Sequence, residues 1–158
     1  MAKQGRLDPG VVEQLVPGSE APTGVSAIRR RPVPERPRVL VIDDDRLVRS
    51  MLERALERHG FDVVAADGGR AALGIFREQA HAIDLVLLDL TMPDLDGEET
   101  FSALREIDPG VRVVFSSGVG LGSNGEGLPT GYRGFVRKPC LPSEVVAVLR
   151  TVLKDEAG

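Results

Sequence analysis

Tryptophan is absent, cysteine occurs once, and aromatic residues make up 4% of the 158-residue chain. A single thiol cannot close an intrachain disulfide, so cross-links do not hold this fold together, and Cys140 beside a proline reads as packing. No apolar run approaches the ~18 residues that span a bilayer, and the amino-terminal stretch has no signal-type apolar core. A soluble, cytoplasmic protein with no membrane span is expected. Nucleotide fingerprints are missing as well. No Gly-x-Gly-x-x-Gly follows the first aliphatic run, and the glycines of Gly118–Gly127 lack the Lys-Ser/Thr pair of a P-loop. A large basic excess is absent too. Residues 1–37 hold six Lys or Arg against four acids, whereas residues 38–158 hold fourteen against twenty. The resulting charges of +2 and -6 argue against direct binding of nucleic acid by the main body.

What is present divides at about residue 37. The first 37 residues contain six prolines and four glycines, and only Val11–Val16 is suited to a brief helical turn. Residues 1–37 are therefore expected to be a disordered extension or an interdomain linker, with Arg29, Arg30 and Arg31 as a solvated basic cluster. Residues 38–154 form the domain, and 155–158 a short tail.

Within the domain, aliphatic runs alternate with amphipathic stretches. Arg38–Asp45 and Ile83–Asp89 are runs without polar alternation, as expected of strands buried on both faces of a parallel sheet, and both end in acids. The spacing predicts helices over Arg46–His59, Arg70–Gln79, Gly97–Ile107 and Leu141–Lys154, and further strands over Phe61–Ala66, Val111–Ser116 and Arg133–Arg137. Asp45 is placed to cap the first helix and Gly60 to end it. In that helix Arg49, Glu53, Glu57 and Arg58 are expected to face water. Val145, Val146, Val148, Leu149, Val152 and Leu153 give the last helix an apolar surface wider than one stripe, suited either to a broad core contact or to a partner helix. Between Gly118 and Gly134 lie seven glycines and one proline in seventeen residues. Each glycine costs a helix interior about 1 kcal/mol, so the helix due at this point is expected to be shortened or replaced by a loop.

Five strands alternating with helices predict a doubly wound α/β domain with right-handed crossovers and a parallel sheet. The length and the missing dinucleotide fingerprint favour the flavodoxin-like order 2-1-3-4-5. That order makes the first and third strands neighbours and brings Asp43 and Asp44 beside Asp89. Three crowded carboxylates repel one another, and a hard, oxygen-preferring cation such as Mg²⁺ relieves this. The fourth strand ends in Ser116-Ser117-Gly118 and the fifth in Lys138-Pro139, adding a hydroxyl and an ammonium to the same rim. An acid pair, a single further carboxylate, a hydroxyl and a cation suit phosphoryl transfer onto a carboxylate. An aspartyl phosphatase of another α/β fold would want an acid two residues after Asp89, where Thr91 stands.

Four segments carry a family resemblance: Val39–Arg49, Leu87–Gly97, Val113–Gly118 and Gly134–Pro139. In this order and spacing, the region from about Pro37 to Lys154 resembles a receiver domain of the bacterial response-regulator family. The resemblance implies that Asp89 is the phosphoacceptor and catalyses its own phosphorylation with Lys138 and Ser117. It implies that Asp44 binds Mg²⁺ directly, Asp43 largely through water, and Thr91 through its backbone carbonyl. Ser117 and Phe135 correspond to the switch residues, the Lys138–Pro139 peptide to a cis bond, and Thr91 and Val119 to rim positions that tune dephosphorylation. With neither an acid nor an amide at those two positions, slow self-dephosphorylation is expected. The implied donor is a sensor histidine kinase or a histidine phosphotransfer protein. A homodimer or downstream protein would meet the face of strands four and five and the last helix. The expected setting is a stand-alone receiver, a phosphorelay shuttle or the receiver end of a hybrid kinase. The competing reading is a receiver-fold module that binds a partner without phosphorylation.

Overall fold

Successive residues of a strand point to opposite faces, and the buried residues of this chain sort accordingly. In the computed structural model, which describes residues 32–118 and 128–157, β1 (Arg38–Ile42) sends Val39 and Val41 to one core and Leu40 and Ile42 to the other. Strand β3 (Leu85–Asp89) does the same with Leu85 and Leu87 against Val86 and Leu88, and all five of its residues are buried. A sheet hydrophobic on both sides must be covered on both sides, and each fully buried aliphatic side chain contributes about 1.5–3 kcal/mol for doing so.

The remaining elements are α1 (Arg46–Arg58), β2 (Asp62–Ala66), α2 (Gly69–Gln79), a 3-10 turn (Ala80–Ala82), α3 (Gly97–Ile107), β4 (Val113–Ser117), β5 (Gly134–Arg137) and α4 (Pro142–Ala157). The five strands are parallel, in the order β2-β1-β3-β4-β5. Helices α1 and α4 cover the face of Val39, Leu87 and Val114 with Leu52, Leu56 and Leu149. Helices α2 and α3 cover the other with Phe76, Phe101 and Leu104, and Phe101 meets Phe115 of β4 edge-on, ring centroids 5.0 Å apart. This is the doubly wound parallel fold expected from the alternation of elements.

Asp45 caps α1, its carboxylate accepting from the amides of Leu47 and Val48, and Gly60 leaves the helix at a φ of 92° that favours glycine. Helix α3 opens on a reciprocal capping box between Asp96 and Glu99. Several boundaries differ from expectation. Residues 80–82 form a 3-10 turn, so β3 starts at Leu85 rather than Ile83. Helix α4 runs through Ala157, three residues beyond Lys154. Its broad apolar side is used up internally: Val145, Val146, Leu149, Val152 and Leu153 are all buried, and Val148 packs against the same core.

Residues 119–127 of the glycine-rich stretch, and Val119 with them, lie outside the described residues, as do 1–31 of the amino-terminal extension. Of the stretch's described part, residues 128–133 contain a turn and no helix. Leu128 and Tyr132 pack against the α2/α3-side core, with the Tyr132 ring 5.6 Å from that of Phe115. No helix among the described residues is long and apolar enough to cross a membrane.

Candidate functional site

Each strand of the sheet's centre delivers its last residues to one edge, and the acids meet there. β1 ends one residue before Asp43 and β3 ends on Asp89, and the two strands pair in parallel from Val39↔Leu85 to Ile42↔Leu88. One carboxylate oxygen from each of Asp43, Asp44 and Asp89 lies within 4.8 Å of the others. Asp43 and Asp89 are buried (2% and 5% exposed) whereas Asp44 is exposed. Residues 45 apart in sequence thus share a rim because the crossover places β3 beside β1.

Lys138, just past β5, crosses over the end of β4 to reach them. Its Nζ lies 3.0 Å from Asp43 Oδ2 and 3.5 Å from Asp89 Oδ2. Burial alone would lower the lysine's pKa, but the hydrogen bond to Asp43 and the two negative charges outweigh it and hold the ammonium above its ordinary value. Burial raises the pKa of Asp89, and the charge of Asp43 adds to the rise; the Thr91 amide and Lys138 only partly offset them. Thr91 donates that amide to Asp89 Oδ1 at 3.0 Å. The Lys138–Pro139 peptide is cis.

Ser117 is the last residue of β4, nearly fully buried, and pairs in register with Arg137. Its carbonyl accepts from the Lys138 amide at 2.9 Å, tying the hydroxyl-bearing residue to the lysine through the backbone. Phe135 lies opposite Phe115 in the β4–β5 pair and is half-buried against the α2/α3-side core. The structure therefore gathers Asp43, Asp44, Asp89 and Lys138 at one rim, puts Ser117 and Thr91 beside it, and sets Phe135 three residues back along β5.

The close approach of α3 to this edge depends on Gly97. A Cβ there would sit 2.5 Å from Leu90 Cα and 3.0 Å from the Asp89 carbonyl oxygen, distances that only a residue without a side chain permits. The Gly97 amide uses the space to donate to Leu90 O at 3.1 Å, closing the loop after Asp89.

Two residues of this region escaped the sequence reading. Arg49, expected to face water, is half-buried and donates from Nη1 to the Asp43 carbonyl at 2.8 Å. The signal was available: position 49 lies one helical turn after Asp45, directly above the end of β1. Asp94 accepts from the amides of Gly69 and Arg70 at 3.4 and 3.3 Å, standing at the amino end of α2, which has no side-chain cap of its own. Hydrogen bonds from backbone amides, the Leu95 amide foremost, lower its pKa despite a small opposing effect of burial. A helix beginning Asp-Gly-Gly leaves its first amides in need of an acceptor, and an acid in a loop of the same sheet edge supplies one.

Chemically, the rim is an all-oxygen donor set with one exposed carboxylate, next to a fixed ammonium. It fits a hard divalent cation that keeps part of its hydration, and it offers no soft or imidazole ligand. Asp43 and Asp89 both belong to the acid cluster and both face Lys138, at 3.0 and 3.5 Å.

Comparison with known proteins gives one consistent result. The profile described as the response regulator receiver domain matches residues 39–150. The chain is 32% identical over 118 residues to the chemotaxis protein CheY of Bacillus subtilis (strain 168), covering 73% of this chain and 97% of that protein. It is 39% identical over 119 residues to the transcriptional regulatory protein PrrA of Mycobacterium tuberculosis (strain ATCC 25618 / H37Rv), covering 75% of this chain but only 50% of that protein. Among solved structures, the receiver domain from the hybrid histidine kinase CckA superposes with a TM-score of 0.63 at 31% identity, over 73% of this chain and 98% of that one. The CheX-CheY-BeF3-Mg+2 complex from Borrelia burgdorferi gives 0.67 at 28%, over 73% and 88%.

Proposed function

We propose that this chain, which belongs to the response regulator receiver domain family, takes a phosphoryl group from a phosphohistidine onto Asp89 and signals its presence to a partner protein. The observation that carries the proposal is the position of Lys138, whose ammonium lies within 3.5 Å of both Asp43 and Asp89 at a rim where three acids converge. A lone acid cluster would need no lysine drawn across from another strand.

In the transfer, an Asp89 carboxylate oxygen attacks the phosphorus in line as the bond to the donor imidazole nitrogen breaks, and that electron pair stays with the imidazole. Lys138 stands where it can offset charge on the oxygens of the moving group, and the Ser117 hydroxyl can donate to one of them. The Thr91 amide, already bonded to Asp89 Oδ1, holds the carboxylate in a fixed orientation. Asp44, Asp43, Asp89 and the Thr91 carbonyl would hold Mg²⁺. When bound, it neutralises negative charge that three carboxylates and a phosphoryl group could not otherwise share. The CheY of the Borrelia burgdorferi complex, described with BeF3 and Mg+2, supports both parts of this reading.

The phosphorylated residue would carry roughly 1.5–2 negative charges. Ser117 would turn toward the new oxygens and Phe135 would follow inward, altering the surface of β4, β5 and α4 where a downstream protein or a second copy would bind. The donor would be a sensor histidine kinase or a histidine phosphotransfer protein, setting the chain in two-component signalling. Acetyl phosphate or a phosphorylated donor protein, supplied with magnesium, should label the native chain and leave Asp89→Asn unlabelled. Equal labelling of the two would overturn the assignment.

A further inference from the structure

Two consecutive glycines stand at the amino end of α2, Gly68 as its cap and Gly69 as its first residue, and both are buried. Neither adopts the left-handed backbone that favours glycine. Gly68 has a φ of -178°, extended backbone that any residue adopts. Space decides instead. A Cβ on Gly68 would lie 2.8 and 2.9 Å from the two carboxylate oxygens of Asp94. A Cβ on Gly69 would strike the Thr100 hydroxyl and lie 2.9 Å from Leu95 Cβ. The missing side chains let the first turn of α2 lie directly against the loop of residues 90–96 and the first turn of α3.

Asp94 spans this junction. Its carboxylate accepts from the Gly69 and Arg70 amides of α2 at 3.4 and 3.3 Å and from the Leu95 amide on its own side. Buried Thr100 steadies the loop, its hydroxyl donating to the carbonyls of Leu95 and Asp96 at 3.3 and 2.8 Å. Both sides of the junction lead back to the acid rim. Ala66, at the end of β2 and three residues before Gly69, accepts from the Asp43 amide at 3.2 Å. Thr91, three residues before Asp94, donates its amide to Asp89 Oδ1 at 3.0 Å. A closed circuit results, running from Asp43 through Ala66, Gly69, Asp94 and Thr91 to Asp89. Thr91 itself is exposed, so the packing of its own side chain does not hold it there.

We propose that Asp94 is a positioning residue: by tying the loop after Asp89 to the amino end of α2, it holds the Thr91 main chain at the acid rim without touching the reacting atoms. The tie stands on geometry alone. Its consequence for phosphoryl uptake rests on Asp89 as phosphoacceptor. One hydrogen-bonded tie of ordinary strength shifts a local equilibrium roughly fivefold to tenfold, and a group released from its productive geometry slows the step it serves.

Three variants of the full chain test this. Asp94→Ala removes the carboxylate, and Asp94→Asn keeps an acceptor oxygen. Gly68→Ala leaves Asp94 in place but sets a methyl group against its oxygens; the three atoms nearest to that Cβ all belong to Asp94. Amide hydrogen exchange comes first, without magnesium or phosphodonor. The Thr91 amide should exchange roughly fivefold to tenfold faster in Asp94→Ala and in Gly68→Ala, beyond any change shared by the buried amides of β1 and β3, and at a nearly native rate in Asp94→Asn. The Gly68→Ala, Asp94→Ala double variant should be no faster than Asp94→Ala, since the clash has lost its target. Faster exchange at Gly69 and Arg70 with Thr91 unaltered would make Asp94 a helix cap only and overturn the proposal. Full additivity in the double variant would also overturn it. With acetyl phosphate and saturating magnesium, the maximal labelling rate of Asp94→Ala should fall by a similar factor at an unchanged KM for the donor, and Asp94→Asn should restore most of it. A native maximal rate beside a lowered denaturation midpoint would count against the positioning role. Faster Thr91 exchange with no labelling even of the native chain leaves the tie standing and removes Asp89's role. Unaltered Thr91 exchange beside normal labelling of the native chain removes the tie alone.

Discussion

Replacing Asp89 by asparagine keeps the shape of the side chain and removes one charge, and in the absence of magnesium it should make the protein more stable. Three charges act on the native carboxylate. At an effective dielectric of about 20, attraction to Lys138 at 3.5 Å is worth about 4.7 kcal/mol, and repulsion from buried Asp43, whose carboxylate lies within 4.8 Å, costs at least about 3.5 kcal/mol. Asp44 is exposed, so its repulsion is closer to the value in water, about 1 kcal/mol for a separation within 4.8 Å. These terms nearly cancel, which leaves the cost of holding an ionised carboxylate at 5% exposure without compensation. An Asn side-chain oxygen can still accept from the Thr91 amide, though its NH₂ group is a poor neighbour for the Lys138 ammonium. A net stabilisation of about 1–2 kcal/mol follows, or roughly 3–10 °C in midpoint for a domain of this size.

The pH dependence makes the test sharper. Because burial raises the pKa of Asp89 above 3.8, the folded protein retains this proton at pH values where the unfolded chain has already lost it. The native protein therefore loses stability as pH rises from the unfolded pKa through the folded one, and the penalty is constant above that. The advantage of Asp89→Asn should be small near pH 4 and full at neutral pH. Magnesium at about ten times its dissociation constant should return about 1.4 kcal/mol to the native chain and less to the variant. Urea or thermal denaturation in chelator, at both pH values and with magnesium restored, measures all of this. A variant that is less stable than the native protein in chelator at neutral pH, or a difference independent of pH, would refute the reasoning.

Other perturbations address separate parts of the structure. Gly97→Ala forces a Cβ against the Leu90 backbone and should cost about 2–4 kcal/mol while slowing phosphoryl uptake, read from denaturation midpoints and labelling rates. Asp45→Ala removes the α1 cap and should cost about 1 kcal/mol with labelling unaltered. Arg49→Ala loses the bond to the Asp43 carbonyl and should lower both stability, by about 1–2 kcal/mol, and magnesium affinity measured by titration. With Thr91 and Val119 offering neither acid nor amide, phospho-Asp89 should persist well beyond seconds in a chase experiment.

The parts of this molecule legible in the sequence were those fixed by local pattern. Ile83–Asp89 read as a strand covered on both faces, and Asp45 and the span Gly97–Ile107 marked helix ends that the structure places within a residue or two. The convergence of Asp43, Asp44 and Asp89 followed from the strand order, which the length and the missing dinucleotide fingerprint favoured over the alternative doubly wound order. What could not be read were contacts set by tertiary approach. Arg49 had an amphipathic helix's outer position by spacing, yet the end of β1 lies within its reach. Asp94 serves a helix 25 residues before it in sequence, a debt visible in Gly68-Gly69 but with no local clue to who settles it. The wide apolar side of α4 allowed a partner helix until its packing showed every position against the sheet or beside it.

The backbone between Ser117 and Lys138 constrains how any change at the rim could spread. The Ser117 carbonyl accepts from the Lys138 amide, and β4 and β5 stay in register from Val114↔Gly134 to Ser117↔Arg137. If a phosphoryl group on Asp89 attracted both the serine hydroxyl and the lysine ammonium, the two residues could not shift their main chains independently. Either both side chains rotate on a still backbone, or the ends of β4 and β5 move as one piece. The second course would carry Pro139 and Cys140 with it, and with them one side of a pocket of about 420 Å³ that Val48 and Met51 of α1 and Val145 of α4 also line. Phe135, opposite Phe115 in the same pair of strands, separates the alternatives. Its ring environment, followed by NMR as beryllofluoride is added, should change alone if side chains rotate and together with Val145 if the strand ends move. A spectrum altered only at the rim residues would mean that the paired strands transmit nothing.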